Sequence, residues 1–187
     1  NILDEKAFYD VWREDISKDK NLISRALNGG IVSDCFSWVF LSGYQSAISH
    51  TFSEVNKDDW ASFAVSEDKR GEKPGLSWTN SDGVFVLDGY KTWVACSASL
   101  SHLVIKADRG EAANYYSIER ATEGLNLTDK YGGFLAEMSQ GIAHLDNVAV
   151  PTPLDASQVA HFGLRETLYI YTAFCAWAGK FVAQAER

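Results

Sequence analysis

Residues 82–97, DGVFVLDGYKTWVACS, set an alternating apolar run between two Asp-Gly signals and follow it with an indole at Trp93 and a thiol at Cys96. A tryptophan at that place either closes a core or packs against something flat. Just upstream, FAVSEDKR at 63–70 gathers a hydroxyl at Ser66, carboxylates at Glu67 and Asp68, and cations at Lys69 and Arg70. Adjacent residues at a strand end point to opposite faces, so Glu67 and Asp68 do not share a proton and form no acid–base pair. Lys69 and Arg70 read as a solvated loop that can at most meet a phosphate locally. Nothing near Cys96 lowers its pKa, neither a helix N-terminus nor a lysine pair, and it reads as a buried thiol.

Cys35, Cys96 and Cys175 are odd in number, far apart and in apolar surroundings. They read as reduced, mostly buried thiols of a cytoplasmic protein, without the spacing a metal needs. His50, His102, His144 and His161 are as scattered, whereas zinc takes a tighter cluster.

The 187 residues are 46% hydrophobic and 22% charged, the profile of a folded chain with one good-sized core or two smaller ones. A net charge of −8 argues against a basic face for nucleic acid and against docking on an anionic membrane. No apolar run is long enough to span a bilayer. Six tryptophans point to several aromatic-lined surfaces.

These residues need elements to hold them. The first sixty residues read as helical: 4–16 place Ala7, Phe8, Val11, Trp12 and Ile16 on one face, and Asn28-Gly29-Gly30 ends the next helix. A buried central helix then begins near Ser33-Asp34. From Trp60 the period changes to alternation, with strands at 61–67, 75–80, 83–94, 102–107, 114–120, 124–129 and 141–150. Turns are expected at Ser81-Asp82-Gly83 and Asp88-Gly89. Pro151 and Pro153 close this series. Residues 164–186 return to helix, with Leu164, Leu168, Tyr171, Cys175 and Ala178 on one face. The expectation is an α+β chain: a helical part at 1–59, an antiparallel β-barrel-like domain at 60–153 and a C-terminal helix at 154–187.

Five stretches in order resemble the acyl-CoA dehydrogenase family and its middle β-domain. FAVSE is similar to the strand commonly written Tyr-x-x-Thr-Glu. DGVFVLDGYKTWVACS resembles Gly-x-x-Leu-x-Gly-x-Lys-x-Trp-Ile-Thr-Asn, and HLVIKA the strand after it. YYSIERATEGLNL and GIAHLDNVAVP resemble the two stretches that close the domain. The resemblance implies a flavoprotein that uses FAD to oxidise the CH–CH group of an acyl-CoA-like substrate. It implies a cofactor site of Phe63 and Val65 through backbone, Ser66 through its hydroxyl, Trp93 beside the ring, and Ala95 where the family carries a second hydroxyl.

Three departures accompany it. Ala95 cannot donate a hydrogen bond. DKRGEKPG at 68–75 does not match the family's pyrophosphate loop. The family's catalytic carboxylate sits in a C-terminal helical bundle of which only the first helix is recognised before Arg187, so no residue is assigned as base. The alternative is a non-catalytic relative that binds ligands or serves as a partner subunit. Arg165-Glu166 resembles a family Glu-Arg pair near the start of that helix, and favours a helix's first turn for plain electrostatic reasons as well. That helix is apolar on most sides, which implies a homo-oligomer or association with a related subunit.

Overall fold

In the computed structural model the described residues are 2–81, 84–109 and 112–185. The chain is α+β and divides into two compact units. One takes residues 2–60, 132–138 and 160–185; the other takes 61–131 and 139–159.

The helical unit begins with α1 (Glu5–Glu14), started by Asp4, whose carboxylate accepts the Ala7 N–H at 2.8 Å. Phe8 and Trp12, one turn apart, are its buried residues with Glu5. Phe8 stacks on Trp38 at 5.2 Å, so the stripe legible in the sequence seats α1 on the core. After α2 (Leu22–Val32) and α3 (Phe36–Thr51) comes α5 (Phe162–Ala185). Residues 41–48 of α3 are buried without a break.

Two expectations are corrected here. Asn28-Gly29-Gly30 does not stop α2, which continues to Val32. The glycines serve close packing: a Cβ on Gly29 would strike Ser42, and one on Gly30 would strike the carbonyl of Ala173 in α5. The central helix is capped by Cys35 rather than at Ser33-Asp34. Gly43 gives α3 the same closeness to α5, since any Cβ there would meet the backbone of Ile170.

The β unit holds β1 (Ala61–Ala64), β2 (Ser77–Ser81), β3 (Val84–Ala95), β4 (His102–Arg109), β5 (Ala112–Glu119), β6 (Leu125–Lys130), β7 (Gln140–Ala149) and the short α4 (Ala156–Val159). They form two sheets, β1-β4-β5 and β2-β3-β7-β6, not a closed barrel. The pairing is also not all antiparallel: β1 runs parallel to β4, with Ala61 opposite His102. A parallel neighbour requires a crossover, and the β2–β3 hairpin supplies it by leaving for the other sheet before β4 returns.

Asp88-Gly89 is not a turn. β3 passes straight through it with a register shift against β7 between Leu87 and Gly89. Gly89 has φ +124°, and a side chain there would collide with the carbonyl of Gly75. Of the other expected turn, Asp82 and Gly83 lie outside the described residues; their flanks Ser81 and Val84 pair as the ends of an antiparallel hairpin.

Candidate functional site

The β unit draws the predicted residues toward one seam, where the end of β1 meets β3. The Thr92 N–H donates to the Ser66 carbonyl at 3.1 Å, and the Ala95 N–H donates to Ser62 Oγ at 2.9 Å. Between them Lys91 Nζ reaches the Val65 carbonyl at 3.2 Å and the Glu67 carboxylate at 2.7 Å. Lys91 is only 2% exposed, so this cation is desolvated and held by one carboxylate and one carbonyl. The β1 end is thereby fixed against β3 by backbone, hydroxyl and charge together.

On that seam Ser66 and Val65 are exposed, and among the described residues Ser66 Oγ makes no hydrogen bond. Trp93 is half-buried, its ring oriented by Nε1 donating to Gln140 Oε1 at 3.1 Å. Phe63 turns into the three-stranded sheet, 5.9 Å from Tyr115. Ala95 is fully buried, its backbone N–H already used. The seam thus presents the Ser66 hydroxyl and the Val65 side chain beside an indole held in place by Gln140, one donor and two apolar surfaces that fit the edge of a planar heterocycle. Cys96 follows, fully buried and in the left-handed region at φ 44°. Cys175, in contrast to the expectation of a buried thiol, is exposed, and Cys35 is half-buried.

The neighbouring loop at 68–75 is organised around its own carboxylate. Asp68 accepts the N–H groups of Arg70 at 2.9 Å, Glu72 at 2.8 Å and Lys73 at 2.9 Å. The Arg70 N–H first, then those of Lys73 and Glu72, hold the Asp68 carboxyl below the usual aspartate range. Pro74 accepts the Tyr90 N–H, and Lys73 Nζ lies 4.6 Å above the Tyr90 ring, which stacks on His144 at 4.3 Å. Backbone N–H groups of the kind that cradle phosphate are present, but an internal anion occupies them. This loop does not fit a pyrophosphate.

In the helical unit, Phe36 on α3 and Glu166, Thr167, Ile170, Tyr171 and Phe174 on α5 line a groove of about 370 Å³. Burial raises the Glu166 carboxyl above the ordinary glutamate value, and among the described residues no hydrogen bond or ion pair reaches it. Arg165 turns away, donating to Thr51 Oγ1 at 3.2 Å. The Arg165-Glu166 dipeptide was legible in the sequence; that only its acid is left unpaired in an aromatic setting was not.

No family model matches the chain, and no curated protein matches it either. Solved structures do. The chain resembles the prolyl acyl carrier protein oxidase AnaB with a TM-score of 0.76 at 16% identity, over 100% of this chain and 61% of that one. It resembles PigA with FAD and proline at 0.73 and 13%, over 98% and 59%. Butyryl-CoA dehydrogenase from Megasphaera elsdenii is similar at 0.70 and 11%, over 92% and 57%. The fold is therefore the one found in acyl-CoA dehydrogenase-family structures, and the chain spans about three fifths of their length. Among the described residues, no helix is long and apolar enough to cross a membrane.

Proposed function

We propose that the protein is an acyl-CoA dehydrogenase-like flavoprotein, an oxidoreductase acting on the CH–CH group of an acyl thioester. The thioester is carried on CoA or, as the name of one similar structure, the prolyl acyl carrier protein oxidase AnaB, suggests, on a carrier protein. The observation that carries this reading is the seam: Thr92 bonded to Ser66 places an unused hydroxyl and an oriented indole on adjoining strand ends. Flavin, when bound, supplies the hydride acceptor for such an oxidation. The chain's part is to hold the ring edge with the Ser66 hydroxyl and the backbone of Phe63 and Val65, and to pack it with Trp93. Ala95 offers no group to the ring.

A second reading, a relative that keeps the fold and binds a ligand or partner without the oxidation, is favoured by Asp68, which fills the loop's N–H groups. Association with a second copy or a related subunit is part of both readings, because Leu164 is 74% and Tyr171 65% exposed along an apolar ridge of α5. Titration of FAD, followed by quenching of its fluorescence, separates the readings. Saturable binding that Trp93→Ala weakens, followed by anaerobic bleaching with an acyl thioester, supports the enzyme. Absence of binding leaves the second reading.

A further inference from the structure

Among the described residues, Glu166 is a half-buried carboxylate with no cation paired to it. Its neighbours in the groove are aromatic or apolar: Phe36 and Phe174 meet edge to face at 6.0 Å, and Trp177 extends the cluster at 6.2 Å from Phe36 and 5.9 Å from Phe174. Phe36 is 41% and Phe174 38% exposed, so ring surface is open to a ligand. Thr167, the one hydroxyl in the lining besides Tyr171, spends its proton on the Gly163 carbonyl at 2.9 Å. The groove therefore offers a negative charge and the electron-rich faces of several rings, and no charged donor for an anion.

From this complementarity we infer that the groove between α3 and α5 is a binding site for a small organic ammonium ion with an apolar body. A cation completes the unpaired carboxylate, while its alkyl groups lie against rings whose faces attract positive charge within about 6 Å. A neutral apolar guest leaves the carboxylate desolvated and unpaired, and an anion is repelled. The volume of about 370 Å³ suits a small organic molecule. The exposed ridge of Leu164, Leu168 and Cys175 shares Tyr171 with the groove, so a partner on the ridge competes with the ligand and the oligomeric state is measured alongside binding. The inference stands apart from the flavin reading, because neither the site nor its test involves flavin.

The test uses the full chain and N,N-dimethylpyrrolidinium, whose charge is independent of pH, with cyclopentanol as the neutral comparator. Backbone amide shifts of α3 and α5 are followed by NMR during titration, and the oligomeric state is measured at the same concentrations. The expected result is saturable shifts around residues 166–174 with the cation, weakened at least tenfold in Glu166→Gln and also reduced in Phe174→Ala, with cyclopentanol binding no better than to the Gln variant. Equal binding of the two probes, an unchanged affinity in Glu166→Gln, or no shift with the cation overturns the inference. So do groove shifts that follow protein concentration without probe, which make the groove an interface between copies.

Discussion

Asp68 in the β unit and Glu166 in the helical unit both border a candidate binding surface, and their surroundings drive them in opposite directions. Asp68 is half-buried in its loop, where three N–H groups surround the carboxylate and lower its pKa. Glu166 is drawn against aromatic side chains with no partner, and burial raises it. The first carboxylate closes a site that an external anion would otherwise use. The second keeps one open for a cation. An acidic residue's meaning for function thus lies in whether its hydrogen-bonding capacity is already spent, more than in its depth.

The comparison breaks most completely if α5 loses its seat. Gly43→Val drives a side chain into the Ile170 backbone and should lower stability by about 3 kcal/mol, measured by urea unfolding, with the groove's cation response lost as well. An unchanged midpoint would mean that α5 is not held by this contact. Lys91→Met comes next. It strips Glu67 and the Val65 carbonyl of their donor and should cost about 2 kcal/mol, below the range for a fully buried pair because Glu67 is 45% exposed. If this variant unfolds like the parent, charge does not hold the seam.

Asp68→Ala sharpens the contrast without touching the core. It frees three loop N–H groups, and tryptic cleavage after Lys69 or Arg70 should accelerate on the order of tenfold with little change in global unfolding. Cleavage at the parent rate would show that the loop is ordered by Lys73 on Tyr90 instead.

The smallest effect belongs to Glu166→Gln. A carboxyl whose pKa is higher folded than unfolded binds its proton more firmly in the native state, so its ionised form opposes folding. The parent should match the variant in acid and fall below it as pH rises through the ordinary glutamate value toward the raised one. Melting temperatures at about pH 4 and pH 7 check this. A variant less stable than the parent at neutral pH reverses the sign and gives Glu166 a partner.

Much of the fold was legible in particular residues. Alternation from Ala61 onward marks the strands, and Pro151 and Pro153 follow the end of β7 at Ala149. Which strands pair was not, because periodicity reports which face is buried and says nothing of the neighbour. The parallel β1–β4 pair and the opening into two sheets follow from where the β2–β3 hairpin goes. Helix α5 misleads for a related reason. Apolar nearly all round, it shows no clear minimum, and the stripe of Leu164, Leu168, Tyr171 and Cys175 proves largely exposed. Phe162, Tyr169 and Ala173 are buried instead, where α2 and α3 offer glycine-lined room. At the seam, motif order led to Ser66 and Trp93, whereas the closure by Asp68 depends on loop geometry that residue types do not encode.

Lys91 gives the seam a chemical reporter. At 2% exposure its amine is out of reach of acylating reagents while β1 lies against β3, whereas Lys69, in the exposed part of the loop, reacts at once. The lag between the two modifications, read by mass spectrometry, times how often the joint opens, in a molecule that carries its own internal standard twenty-two residues away.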